Sequence, residues 1–218
     1  MTVARLIIVG DGLVARQAAA IAARGDVARV VECELLTADQ IWRTDLDFLQ
    51  GCDPATTEVF AAVGLEALNF ARSDLWGKLR IAGFRSARLV HPAAAIDPTA
   101  HVGGNCLVDA HASIGPGAKI GEGTILGAGA RVDAGATVGA FSWLGANASI
   151  GGDTEIGTHT VLGAGVHVAA RLRIGANCEV SVPGSYDRSL DDGTFISALF
   201  ASAARIHDGR QHRTQSAS

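Results

Sequence analysis

The chain has 218 residues, a formal charge of -4 at pH 7, 48% hydrophobic residues and 27 glycines. That length suits one ordinary domain or two small ones. The hydrophobic content excludes disorder for most of the chain, and no three-residue glycine period supports collagen. No lysine- or arginine-rich run supplies a nucleic-acid footprint. No apolar stretch reaches the roughly 18 residues of a membrane span. The opening MTVARLIIVGDG breaks its short apolar run too early for a secretory leader. A cytoplasmic protein is expected. Cys33, Cys52, Cys106 and Cys178 show no CxxC spacing, so reduced thiols are the expectation.

At the front, Leu6-Ile7-Ile8-Val9 is a buried-strand run followed by Gly10-Asp11-Gly12-Leu13-Val14-Ala15 and a helical stretch ending at Gly25. G-x-G-x-x-A between strand and helix is the context in which backbone amides approach a phosphate at a helix N-terminus. A second strand spans Ala28 to Leu36, carrying Glu32 and Glu34, and a third runs Val59 to Gly64. A helix through Asn69, Arg72 and Leu79 then leads to Ala87–Val90. This alternation predicts a small parallel α/β, Rossmann-like domain over residues 1–89. On spacing alone, a dinucleotide site and a glycine turn without ligand both remain open.

From Ile96 the chain divides into fifteen consecutive sixes, IDPTAH, VGGNCL, VDAHAS, IGPGAK and onward to VSVPGS. Every first position is Ile, Val or Leu; the second is Gly in ten, and the fifth is small in thirteen. VHPAAA, from Val90, fits as one more unit. Such a period is a solenoid, in which each six supplies a short strand and a corner. The aliphatic residue points inward, the small residue fills the narrow interior, and three sixes close a triangular coil. An all-β parallel helix of a little over five coils is expected over 90–185. The hexads stop after Ser185, so residues 186–205 are read as a cap with a short strand and one helical turn. The polar tail 206–218, with His207 and His212, is read as disordered.

The hexad array, the AVG-x4-N-x2-R run at Ala62–Arg72 and the LVHP junction at Leu89–Pro92 together resemble the NeuD/PglD-type sugar O- or N-acyltransferases, over about residues 3–183. The resemblance implies a left-handed β-helix, a homotrimer, and acyl-CoA bound as cosubstrate in the groove between neighbouring prisms. It implies that the front domain binds a nucleotide-linked sugar, with Gly10, Gly12, Gly64, Asn69 and Arg72 as contacts. Val161, Gly163, Ala164 and Val182 would line the acyl-CoA channel, with the amide of Ala170 at the thioester oxygen. The activity implied is transfer of an acyl group, acetyl in the first instance, from acetyl-CoA to an amino group of that sugar.

Such transfer needs a base for the amine and a donor for the oxyanion. The family carries its base histidine in a hexad that aligns with Ser149–Gly157, and there the histidine position falls on Gly152, with Gly151 before it. Only Asp153 keeps the acidic pattern. Gly145 and Val161 occupy two further positions where the family places asparagine and histidine. His159, a corner histidine, is the candidate relocated base, with Asp153 as its acidic partner. The alternative is a catalytically degenerate homologue that binds CoA or sugar nucleotide, or a structural or interaction protein. His91, His101, His111 and His167 read as corner or junction residues. The closest histidine pairs of the hexad region, His159 with His167 and His101 with His111, are spaced more widely than a metal-binding pair, so no metal is expected. Arg171 and Arg173 either meet CoA phosphates or solvate the outer face.

Overall fold

The computed structural model describes residues 5–25, 30–36, 46–65, 68–199 and 202–205. The tail from 206 onward, with His207 and His212, lies outside them, as do residues 200–201; the described residues of the expected cap form strands and no helical turn.

The N-terminal segment forms a four-stranded parallel sheet in the order β2-β1-β3-β4, from β1 (Arg5–Gly10), β2 (Val30–Leu35), β3 (Thr57–Ala62) and β4 (Arg85–Ser86). Helix α1 (Gly12–Ala22) follows β1 and helix α2 (Phe70–Ile81) follows β3. Period-two alternation sorts the side chains of β1. Leu6 and Ile8 pack with Val14, Ala18 and Ile21 of α1, while Ile7 and Val9 pack with Ala71, Leu75 and Leu79 of α2. A sheet covered on both faces explains the near-continuous apolar run of β1. The region is a small α/β unit, and the segment that leaves it divides between two roles. Arg85–Ser86 closes the sheet, whereas Leu89–Val90 begins the solenoid.

The hexads build a parallel β-solenoid with three faces. Strands one coil apart pair in register along every face, for example Leu107–Val108 with Ile125–Leu126 and that strand with Trp143–Leu144. The first-position residues from Val102 to Val180 form one continuous buried core. Fifth-position residues that carry a hydroxyl turn it upon the backbone of the next coil. Thr124, Ser142, Thr154 and Thr160 donate to the carbonyls of Gly139, Gly157, Ala169 and Gly175. Buried hydroxyls are thereby satisfied inside an apolar prism.

The coil continues past the last clear hexad and the solenoid reaches about six turns. Gly184–Tyr186 pairs with Val166–Val168, Leu190 bridges to Ile174, and Thr194–Ile196 pairs with the Glu179–Val180 strand. Glu179 meets Phe195, short of the three full sixes that separate earlier partners such as Val161 and Glu179. Tyr186, Leu190 and Ile196 occupy the inward slots, and the step from Tyr186 to Leu190 is shorter than a six, so the six-residue period hides this coil. Ala204–Arg205 then pairs antiparallel to the last strand and ends the stack.

Candidate active site

Each coil turns at three corners, and the fourth residue of a six takes the left-handed conformation there. Asn105, Phe141, His159 and Asn177 all have φ between 53° and 56°. Together with Gly123 they form one vertical edge of the prism, and the N-terminal unit docks along it. The Asn105 side chain accepts from the Ala61 amide at 2.7 Å and donates to its carbonyl at 3.1 Å. Trp76 meets the Phe141 ring edge-on at 5.4 Å. Phe70 stacks on His159 at 4.0 Å, with Phe141 on the far side at 5.5 Å.

Arg72 locks the same edge. It is fully buried, and its guanidinium donates to the carbonyls of Gly123, Val63, Gly64 and Phe141. Its planar fork, with five donors, suits carbonyls converging from two units. Arg72 therefore shapes the turn at residues 63–64 from behind. Asn69, also wholly buried, caps α2 in a left-handed conformation, and neither polar atom of its side chain finds a partner among the described residues. Gly10 ends β1 against β3, where a Cβ would stand 2.1 Å from the Ala62 carbonyl. Gly12 has φ +52 with open space around it. In this sheet the strand order reverses between β1 and β3, the place where open α/β sheets take ligands. Gly10 ends β1, Gly12 follows it and Gly64 follows β3, at the same end of the sheet.

The Nδ1 of His159 lies 3.1 Å from the Leu68 carbonyl. A carbonyl only accepts, so Nδ1 carries the hydrogen and Nε2 keeps the lone pair of the neutral ring. Burial between the two phenyl rings pushes the imidazole below its ordinary pKa, and the nearby Arg72 charge acts in the same direction. His159 is thus a neutral, oriented imidazole at pH 7. Asp153 stands apart from it within the chain. Asp153 is exposed at another corner, in the column of Gly135 and Arg171. A single six spans one whole face, so within one chain the two side chains point from different edges.

Beside the docking edge, a cleft of about 410 Å³ runs along the adjoining face. The N-terminal unit supplies Leu65 and Leu68; the solenoid supplies Trp143, Gly145, Ala146, Val161, Gly163, Ala164, Glu179 and Ser181. Val161, Gly163 and Ala164 come together in the cleft wall. Val182, half-buried, is not among the residues that line it, and Ala170 is exposed beside Arg171 of the Asp153 edge. Gly152 lines a separate, shallower groove with Ser113, Arg131, Asp133 and Ala134. Arg173 pairs with Asp192 at 3.1 Å, and Arg171 is exposed. The sequence reading missed the docking edge, although its signal was present: Asn105, Gly123, Phe141, His159 and Asn177 hold the same position in every third six.

A family model described as the GMPPB C-terminal domain matches residues 84–184. No curated protein matches the chain. Among solved structures, a histidine-to-alanine mutant of GDP-perosamine N-acetyl transferase from Caulobacter crescentus, in complex with CoA and GDP-perosamine, is similar. It has 26% identity and a TM-score of 0.78, over 95% of this chain and 99% of that one. The acetyltransferase domain of PglB from Neisseria gonorrhoeae, in complex with acetyl coenzyme A, shares the fold at 22% identity and a TM-score of 0.78, over 93% and 98%. PerB from Caulobacter crescentus, in complex with CoA and GDP-perosamine, does so at 24% and 0.74, over 93% and 98%. These are hexapeptide-repeat sugar acyltransferases, and the resemblance read from the sequence stands. Among the described residues, no helix is long and apolar enough to cross a membrane.

Proposed function

We propose, from its similarity in fold and element order to the nucleotide-sugar acetyltransferases, that this chain is an acyl-CoA-dependent transferase acting on an amino group of a nucleotide-linked sugar. The single observation that carries the reading is the cleft that Leu65 and Leu68 of the N-terminal unit share with the solenoid. It brings the expected acyl-CoA residues Val161, Gly163 and Ala164 beside Leu65, the chain neighbour of Gly64. In this reading the donor and acceptor sites of the two units adjoin. A Rossmann-like front unit, a left-handed coil and a homotrimer belong to this reading, in which Ala170 and Asp153 meet the cleft of a neighbouring copy.

In the reaction, the amine nitrogen bonds to the thioester carbonyl carbon, the carbon–sulfur bond breaks, and the amine proton leaves to a base. His159 supports that role through its neutral state and its free Nε2. The proton then passes to the sulfur, and CoA departs as thiol.

A second reading rests on Gly152, which offers no side chain where the resemblance places the base. Under it, the chain keeps acyl-CoA or nucleotide-sugar binding without turnover. Acetyl-CoA incubated with a panel of nucleotide-linked amino sugars separates the two. Release of free thiol is expected, and CoA binding without thiol release across the panel establishes the second reading instead.

A further inference from the structure

Among the described residues the cleft is walled mostly by apolar side chains and backbone, and one ionisable group lines it. Glu179 is half-buried at its lower end, on the strand below Val161. The Ser181 hydroxyl, two positions on, donates to one Glu179 carboxylate oxygen and steadies the head group. The other oxygen has no partner within the chain among the described hydrogen bonds. Above it stand Val161 and then Trp143, paired in register on the same face. The Trp143 ring has the Arg72 guanidinium 5.9 Å from its centroid, and that cation is committed to backbone carbonyls. Among the described residues, the cleft therefore presents one negative charge in otherwise uncharged walls.

An ionised carboxylate accepts hydrogen bonds and donates none. Inside a cleft of low polarity it discriminates between acceptors by charge, because a charge-assisted hydrogen bond is about twice as strong as a neutral one. A sugar amine arrives largely as ammonium and supplies both charge and donors. A sugar hydroxyl in the same place supplies one neutral donor.

We infer that Glu179 is the specificity residue that selects an amine over a hydroxyl acceptor, by holding the incoming ammonium at the end of the acyl-CoA cleft. The inference rests on the proposed acyl transfer only for the identity of the ligand; binding itself is independent of turnover. Glu179 places the amino group; the ammonium releases one proton to solvent to free its lone pair, and the proton lost on attack goes to the base, not to this carboxylate.

Calorimetric titration of the full-length protein, loaded with CoA, tests this with a UDP-linked and a GDP-linked amino sugar and the matched hydroxyl analogues. The wild-type chain is expected to bind at least one amino sugar about ten- to a hundredfold more tightly than its hydroxyl counterpart. Glu179→Gln keeps the shape and an acceptor oxygen, and is expected to erase that preference while leaving CoA affinity unchanged. In turnover, the same variant is expected to raise the acceptor KM with little change in kcat. An unaltered amine preference in Glu179→Gln overturns the assignment even if the enzyme is active. Equal binding of amine and hydroxyl by the wild type overturns it as well. Absence of thiol release with the amine preference intact overturns the proposed activity and leaves the subsite standing.

Discussion

His159 sits between Phe70 and Phe141 with Nδ1 at the Leu68 carbonyl, so one residue serves both as docking contact and as oriented imidazole. The two duties share a pH dependence whose sign is fixed. Its pKa in the folded protein lies below the ordinary value of 6.5, so the unfolded chain takes up the proton first on acidification. The stability that His159 contributes is complete above about 6.5 and is lost as pH falls through the folded value. Urea unfolding across about pH 5 to 7.5 is expected to show the wild type weakening below about pH 6.5, and His159→Gln losing that part of the slope. An identical slope in both proteins contradicts this. The sequence marked His159 as worth attention; its packing partners Phe70 and Leu68 lie far back in the chain, and no local pattern joins them.

At the scale of the elements, the coil is a repeating compromise between apolar filling and polar closure. Thr160 illustrates it: the hydroxyl donates to the Gly175 carbonyl at 2.7 Å and accepts from the Cys178 amide at 3.2 Å. Thr160→Val keeps the volume and strands both partners inside the prism. A loss of about 1–3 kcal/mol in unfolding free energy is expected by denaturant titration. Cys106 belongs to the same interior, and burial pushes its thiol up to about 12. The extra coil at 184–196 shows where periodicity stops being a guide. Its inward residues Tyr186, Leu190 and Ile196 satisfy the same slots with irregular spacing, and only the neighbouring coil defines which slots need filling.

For the whole molecule, the decisive feature is that the two units share a core. Leu107 and Ile125 point outward from the solenoid yet are buried with Leu6, Ile8 and Phe60 of the sheet and with α1. Gln17 of α1 adds a hydrogen bond to Asp109, and Arg72 joins the 63–64 turn to the Gly123 and Phe141 carbonyls. Arg72→Ala removes a buried charged donor from several carbonyls at once. A cost on the order of 3 kcal/mol is expected, together with separation of a single thermal transition into two by calorimetry, since the shared interface weakens first. A variant as stable as the wild type, with one transition, places the coupling elsewhere.

By itself the sequence determined the solenoid, its inward column and the order of the α/β elements, because those features arise from short-range periodicity in strand, helix and hexad. It determined Gly152 as well, since an absent side chain needs no fold to be seen. Tertiary structure alone decided that Arg72 is a buried lock and that Glu179 lines the cleft of Val161, Gly163 and Ala164. The reason is geometric. Residues a full coil apart become neighbours, while residues a single six apart are separated by a face. Contacts between the units reach further still, from Arg72 to Gly123 and from Leu68 to His159, over separations that no local pattern in the chain records.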